Sequence, residues 1–187
     1  MPYRRAQFYQ GGYYHLYNRG NNHQDIFFEH ENYLYFLRQM RKYLKADVVE
    51  IIAYCLMPNH YHLMVFLKGE GLVELMQPFL LSYTKAINER YNRVGSLFQG
   101  RFKAIRVDKE EYLLQLSRYT HLNPVVAGLV KQPEDWEFSS YRDFIGARNG
   151  TLVKPDVVLS YFQSRDKYRK FVGSSVDQKA IEHLMAD

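Results

Sequence analysis

The pattern of apolar and polar residues predicts two apolar strands joined by a tight turn. An apolar run at 48–56 is followed by Pro58 and Asn59, and a second apolar run occupies 63–67. Proline and asparagine are typical turn residues between strands. The pattern therefore predicts a β-hairpin whose second strand starts at His60.

The second strand of this hairpin begins with two histidines that share one face. Side chains alternate along a strand, so His60 and His62 point to the same side, about 6.6 Å apart, while Tyr61 points into the packing. A single metal ion could take a nitrogen from each imidazole. The same spacing also fits two hydrogen-bonded surface histidines, and the pair alone does not decide between these interpretations.

The rest of the chain alternates between strand and helix patterns. The predicted elements are a strand at 13–18, a helix at 29–44, a helix at 72–91, a strand at 97–107 and a helix from 108 to about 122. Pro78 predicts a kink or a late start in the second helix. Asp108 and Glu111 form a capping-box pattern before the third helix, and Pro124 is expected to end it.

The order strand-helix-strand-strand-helix-strand is a split βαβ pattern and defines an α+β fold class. It predicts a ferredoxin-like, or RRM-like, antiparallel sheet with packed helices. We expect this domain to cover residues 1–145. Residues 146–150 resemble a linker, and 146–187 are predicted to form a C-terminal helical extension with short helices at 156–162, 165–172 and 177–185.

Composition and charge favour a nucleic-acid partner. The chain has 25 Lys and Arg against 20 Asp and Glu, a formal net charge of +5, and it contains 17 Tyr and 12 Phe. Its one cysteine, Cys55, excludes an internal disulfide and a cysteine zinc site. The absence of a signal-peptide pattern and of a long apolar run predicts a cytoplasmic protein with no membrane partner.

Basic and aromatic residues interleave on the predicted fourth strand, a pattern that suits single-stranded nucleic acid. An edge strand protected by charge would look the same, and the two interpretations carry equal weight. The candidate DNA contacts are Arg4, Arg5, Arg19, Phe98, Gln99, Arg101 and Lys103.

The third helix places a tyrosine and an asparagine on one face. Tyr112, Leu116, Tyr119 and Asn123 follow helical spacing, so Tyr119 and Asn123 lie one turn apart. His121 points elsewhere and receives no role. Asn123 could also simply end the helix, a common use of asparagine.

Four segments together resemble a known family. These are Met-Pro-Asn-His-Tyr-His at 57–62, Leu-Phe-Gln-Gly-Arg-Phe at 97–102, Tyr-Thr-His-Leu-Asn-Pro-Val at 119–125 and Trp-Glu-Phe-Ser-Ser-Tyr at 136–141. In this order they resemble the single-tyrosine HUH transposases. The last segment points to the REP-associated tyrosine transposase branch. The resemblance covers roughly residues 11–145, and Tyr61 departs from the usual aliphatic residue between the two histidines.

The resemblance implies a DNA strand transferase and endonuclease that acts in DNA transposition and recombination. It would cleave and rejoin single-stranded DNA next to a REP-like hairpin through a covalent 5′-phosphotyrosine. Tyr119 would be the nucleophile, and His60, His62 and Asn123 would bind Mg²⁺ or Mn²⁺. The expected partner is single-stranded DNA with a hairpin, bound by a monomer or a homodimer.

Two other functions fit parts of the sequence. A non-catalytic module that binds single-stranded nucleic acid would use an RRM-like sheet with Phe98, Arg101 and Phe102 as its platform. A metal-dependent phosphodiesterase would use water as the nucleophile and would not need Tyr119. The binding module would leave His60 and His62 unexplained. The phosphodiesterase would turn over without forming a covalent protein–DNA product.

Overall fold

A computed structural model describes residues 7–174 of the chain. These residues form four strands and six helices, apart from short 3₁₀ turns. The strands are β1 (Tyr13–Arg19), β2 (Val49–Met57), β3 (His60–Leu67) and β4 (Lys103–Val107). The helices are α1 (His30–Tyr43), α2 (Leu72–Arg90), α3 (Glu110–Val126), α4 (Tyr141–Phe144), α5 (Asp156–Leu159) and α6 (Arg165–Gly173).

The four strands form one antiparallel sheet in the order β2-β3-β1-β4. This is the sheet that the split βαβ pattern predicts, so the predicted α+β, ferredoxin-like fold is confirmed. The central hairpin is also confirmed, because β2 ends at Met57 and β3 begins at His60. No described helix has the length and apolarity that crossing a membrane requires.

Helices cover both faces of the sheet. Leu16, Tyr61 and Leu63 belong to the larger core, which also contains Phe36 of α1 and Phe79 of α2. On the opposite side, a second cluster joins strand residues to side chains of α3 and α6. Because strand side chains alternate, each strand contributes to both cores, and α3 lies on the histidine side of the sheet.

The outer edge of β2 is covered by the segment that follows α3. The backbone of Leu56 donates to Phe138, and the backbone of Ser140 donates to Tyr54. The Trp136 indole donates to the carbonyl oxygen of Leu56. The 136–141 motif therefore acts structurally as an edge cover for β2, which removes unpaired backbone groups from the surface.

The fourth strand is shorter than predicted. Residues 97–102 are not part of β4, and their backbone bonds Gln99 to Arg19 and Leu97 to Asn21. Gly100 adopts a left-handed conformation with φ of 91°, which interrupts strand geometry before Lys103. The alternation of this segment reflects a loop packed against the end of β1.

The helix boundaries also differ from the sequence prediction. Helix α2 begins at Leu72 with Pro78 inside it, so a late start is wrong. Helix α3 begins after Lys109 without a side-chain cap, so the predicted capping box does not form. Pro124 lies within α3, which continues to Val126, so the prediction that Pro124 ends the helix is wrong.

The segment predicted as a linker is tightly bonded. Arg148 forms an ion pair with Asp143 and donates to the carbonyl oxygens of Glu137 and Ser139. The backbone of Gly150 donates to the Asp143 carboxylate. Residues 146–150 are thus an ordered connection, since buried charge and backbone donors find partners in each other.

The described part of the predicted extension packs on the domain predicted for residues 1–145. Val158, Tyr168 and Val172 belong to the core cluster that contains α3 residues. Lys154 donates its backbone N–H to Ile51 of β2. The predicted helix at 177–185 lies outside the described residues, and the division at 145/146 remains a prediction.

A buried histidine fastens α3 to its neighbours. The ring nitrogens of His121 are hydrogen-bonded to the hydroxyls of Tyr168 and Ser140 at 2.7 and 2.8 Å. As expected, His121 does not point towards the side chain of Tyr119. Burial, with a smaller effect of Arg148, lowers the pKa of His121 from its ordinary value of 6.5 to about 3.

We therefore expect the protein to lose stability in acid through His121. The unfolded chain binds a proton below pH 6.5, whereas the folded protein binds it only near pH 3. The free energy of unfolding should fall as pH decreases through this window, by up to about 1.4 kcal/mol per pH unit, and be unaffected above it. Denaturant unfolding of His121→Phe should show a pH slope shallower by about one proton. An unchanged slope would contradict this assignment, whatever the overall loss of stability.

Candidate active site

The two histidines at the start of β3 lie side by side, as the alternation predicts. The ring centroids of His60 and His62 are 4.9 Å apart, with the planes nearly perpendicular. His62 is 3% exposed, and His60 is partly exposed. The pair thus has a buried member and a member at the surface. Tyr61 faces the other way and is fully buried, with its ring against Phe36.

Helix α3 brings Tyr119 and Asn123 to the same histidine. The Tyr119 ring meets the His62 ring edge-on at 5.3 Å between centroids. The Asn123 amide nitrogen lies 3.2 Å from His62 Nε2. The helical spacing of one turn therefore places both side chains over the start of β3, and the structure assembles the four predicted site residues.

His62 is held neutral by its surroundings. Burial lowers the pKa of His62 well below its ordinary value, and the nearby His15 and His60 lower it further. A neutral imidazole keeps a lone pair on one ring nitrogen, which is the form that binds metals.

The sequence interpretation missed His15. In β1, His15 and Tyr17 alternate on the face that carries the histidine pair, since Tyr17 lies opposite His62. His15 Nε2 is 2.8 Å from His62 Nδ1, and His15 is 1% exposed. The period-two placement of His15 and Tyr17 was a usable signal, but it required knowing that β1 neighbours β3.

Lys103 extends this row to the edge strand. It lies opposite Tyr17 on β4, and its ammonium group sits 5.5 Å from the Tyr17 ring centroid. The row from His62 through Tyr17 to Lys103 crosses three strands. It places a cation beside the histidines on the same sheet face.

A pocket of about 210 Å³ opens at this end of the sheet. Its lining comprises Tyr17, Asn18, Arg19, His23, Asn59, His60, Tyr61, His62, Gln99 and Lys103. Among these residues none is acidic, whereas Arg19 and Lys103 are cationic. The pocket therefore suits an anionic group held close to the histidines.

One wall of the pocket depends on Gly20. Its backbone donates to the carbonyl oxygen of Asn59 and joins the end of β1 to the hairpin turn. A Cβ atom on Gly20 would lie 1.8 Å from the carbonyl oxygen of Gln24, so only glycine fits here.

Three predicted DNA contacts gather at the pocket and others do not. Arg19 donates to the side chain of Gln99, and both line the pocket with Lys103. Arg101 is exposed but lines a separate groove beside α2. Arg4 and Arg5 lie outside the described residues.

The structure contradicts the prediction that Phe98 contacts DNA. Its ring is 6% exposed and packs edge-on against Tyr61, so it is a core residue and no stacking platform for DNA. Phe102 is likewise only 5% exposed. Their burial removes the aromatic platform on which the non-catalytic alternative depended.

His60, His62 and Asn123 are the candidate ligands of a divalent cation. Within residues 7–174, no group of three or more His, Cys, Asp or Glu side chains could hold a metal ion. The candidate ligand set differs from such a group because its third member, Asn123, is an amide. Two ligands of one Mg²⁺ or Mn²⁺ ion lie about 3 Å apart, and the Asn123 amide lies 3.2 Å from His62 Nε2. The spacing of Asn123 and His62 therefore fits two ligands of one ion once the amide presents its oxygen, and the His60 ring lies beside that of His62.

The fold and the site combine a ferredoxin-like sheet, two histidines on one strand and a tyrosine on the helix that faces them. This combination defines a structural class of protein. The family model for IS200-like transposases matches residues 8–123. The chain belongs to the IS200-like transposase family, and the predicted transposase function is confirmed at this level.

A solved structure of another protein supports the fold. A REP-associated tyrosine transposase bound to a REP hairpin matches with a TM-score of 0.64 at 18% identity, over 82% of this chain and 98% of that one. A Deinococcus radiodurans protein assigned as a transposase matches with a TM-score of 0.41 at 16% identity, over 64% of this chain and 95% of that one. No curated protein sequence matches the chain significantly.

Proposed function

We propose that the protein cleaves and rejoins single-stranded DNA beside a hairpin, with Tyr119 as nucleophile and a divalent cation as cofactor. The observation that carries this proposal is the meeting of α3 and β3. The Tyr119 ring touches His62, and Asn123 approaches the Nε2 atom of the same histidine. A tyrosine that lies against candidate metal ligands, beside a cationic pocket, suits attack on a phosphodiester.

In the cleavage step, the Tyr119 oxygen forms a bond to phosphorus and the bond from phosphorus to the 3′ oxygen breaks. The tyrosine loses its proton, and the departing 3′ oxygen gains one to become a hydroxyl. The 5′ end stays attached to the protein. Attack by a 3′ hydroxyl reverses these changes, and because the phosphotyrosine retains the ester bond, rejoining needs no nucleotide cofactor.

His60, His62 and Asn123 would hold Mg²⁺ or Mn²⁺. When bound, the cation neutralises charge on the nonbridging phosphate oxygens and helps orient the phosphodiester for in-line attack. Arg19 and Lys103 attract the DNA strand. The partly buried position of Tyr119 on a packed helix fixes the direction from which its oxygen approaches.

The REP hairpin bound by the structural neighbour suggests the substrate. We expect this chain to bind a DNA hairpin with a single-stranded foot, the foot entering the pocket of Arg19 and Lys103. The test is incubation of a 5′-labelled and a 3′-labelled hairpin oligonucleotide with the protein and Mn²⁺, followed by a denaturing gel.

A protein-linked band carrying only the 3′-side fragment supports the proposal. Cleaved DNA without a protein-linked band would instead indicate a phosphodiesterase that uses water. Binding with neither product would indicate a non-catalytic binding module. The denaturing gel thus separates the two enzymatic candidates, and a gel shift under native conditions identifies the binding module.

Arg19→Ala and Lys103→Ala should each weaken binding of the hairpin with its foot. Each contact to a phosphate contributes to counterion release, so the slope of log affinity against log salt should fall by about one for each variant. Arg38→Ala on α1 is the matched control, because Arg38 pairs with Glu31 outside the pocket. Salt slopes identical to the unmodified protein would exclude these side chains as phosphate contacts.

A further inference from the structure

We infer that His15 and Asn59 are positioning residues that set His60 and His62 in the same tautomer, with the proton on Nδ1 and the lone pair on Nε2. That the two lone pairs serve to bind a metal ion rests on the proposed function. The arrangement itself follows from hydrogen bonds in the described residues.

The amide of Asn59 fixes the tautomer of His60. Its nitrogen donates to the carbonyl oxygen of His23 at 3.3 Å, which only an NH₂ group can do. The amide oxygen of Asn59 therefore faces His60 Nδ1, at 2.7 Å. An oxygen that only accepts requires a proton on this ring nitrogen, so neutral His60 carries its lone pair on Nε2.

Two contacts determine the tautomer of His62. The Asn123 amide nitrogen lies 3.2 Å from Nε2 and donates to its lone pair. The proton of neutral His62 is then on Nδ1, which lies 2.8 Å from His15 Nε2. His15 accepts this bond, and the stacked ring of Tyr17 at 4.9 Å fixes the plane of the His15 ring.

The two orienting residues come from the elements that flank the pair. Asn59 belongs to the hairpin turn, and His15 lies on the neighbouring strand, buried at 1% exposure. A metal-binding histidine normally donates its second ring N–H to a partner that fixes the tautomer and the ring plane. Here each histidine has its own partner at Nδ1, so both Nε2 atoms carry a lone pair. An arriving ion would take the His62 lone pair from the Asn123 N–H as the amide turns its oxygen towards the ion.

The direct test is long-range ¹H–¹⁵N NMR of the metal-free protein, which distinguishes the two tautomers of each histidine. The signals of His60 and His62 are assigned by their loss in His60→Gln and His62→Gln. We expect the Nδ1–H form for both rings. His15→Phe keeps an aromatic ring but removes the acceptor of the Nδ1 proton. The Nε2–H form of His62 should then rise as the Asn123 amide turns its oxygen to Nε2, whereas His15→Gln supplies an amide oxygen and should restore the Nδ1–H form.

Metal affinity is the second readout, measured by calorimetric titration with Mn²⁺ in the absence of DNA. His15→Phe and Asn59→Ala should each raise the dissociation constant about 10- to 100-fold, and His15→Gln should recover most of this loss. His30→Phe is the matched control, because His30 pairs with Glu137 away from the pocket. It should leave the Mn²⁺ affinity unchanged.

The result that overturns the inference is an Nε2–H tautomer in either histidine, or Mn²⁺ affinity in His15→Phe and Asn59→Ala equal to that of the control. Because Asn59 lies in a partly exposed turn, Asn59→Ala tests the idea even if His15→Phe does not fold. Failure of the proposed function gives another result: the tautomers and Mn²⁺ affinities follow expectation, but no protein–DNA adduct forms.

Discussion

Replacing Tyr119 by phenylalanine is expected to abolish the covalent protein–DNA product while hairpin binding persists. The substitution removes a single oxygen and keeps the ring that packs against His62. Loss of a nucleophile typically lowers turnover by several orders of magnitude, so the yield of adduct should fall at least about 10³-fold. The measurements are a denaturing gel for the adduct and a gel-shift titration for binding.

Tyr112→Phe is the matched control, because Tyr112 is a partly buried tyrosine on the same helix, two turns before Tyr119. It should form the adduct at the unmodified rate. An adduct that survives at full yield in Tyr119→Phe would move the nucleophile to another residue. Loss of binding together with the adduct would instead show that the Tyr119 hydroxyl is needed to hold DNA.

Asn123→Ala is expected to raise the Mn²⁺ concentration needed for half-maximal cleavage by at least about tenfold, with little change in hairpin binding. The variant removes the amide beside His62 Nε2 and leaves two imidazoles as ligands. Asn123→Asp supplies a carboxylate oxygen in the same place and should partly restore the Mn²⁺ dependence. Cleavage rate against Mn²⁺ concentration measures both.

The alternative role of Asn123 as a helix terminator is already weakened by the structure. Helix α3 continues to Val126, and its C-terminal capping residue is Ala127. Asn88→Ala on α2 serves as control, since the Asn88 amide donates to the backbone carbonyl of Gly95 and Asn88 does not line the pocket. If Asn123→Ala lowers thermal stability but leaves the Mn²⁺ midpoint unchanged, the third ligand must lie elsewhere.

The central hairpin was predictable because its signals are local. Pro58 and Asn59 lie between two apolar runs, and the alternation after the turn places His60 and His62 on one face. The order of strands and helices likewise sufficed for the fold, since few topologies fit a split βαβ pattern. The spacing of Tyr119 and Asn123 along a helix gave their shared face.

Features that depend on contacts between distant segments were missed or misjudged. His15 is 47 residues from His62 in sequence, and only the register of β1 against β3 brings their rings together. Phe98 lies in a segment of interleaved basic and aromatic residues that resembles an exposed DNA-binding platform. Residues 97–102 instead pack against the end of β1, and Phe98 is buried. Alternation alone cannot show which neighbour covers a strand.

Helix ends and the segment after the domain were misjudged for a related reason. Pro124 stays inside α3 because tertiary packing of the helix outweighs the loss of one backbone bond. The Gly-containing stretch 146–150 looked like a linker, yet Arg148 and Asp143 bond it to the core. Local propensity does not reveal a side chain that finds its partners elsewhere.

The central claim is that Tyr119 becomes covalently joined to DNA. The most direct measurement is mass spectrometry of the adduct formed with a hairpin oligonucleotide and Mn²⁺, after digestion with nuclease and protease. We expect the peptide that contains Tyr119 to carry a nucleotide through a phosphate on the tyrosine oxygen. A nucleotide on any other residue, or cleaved DNA with every peptide unmodified, would contradict the account.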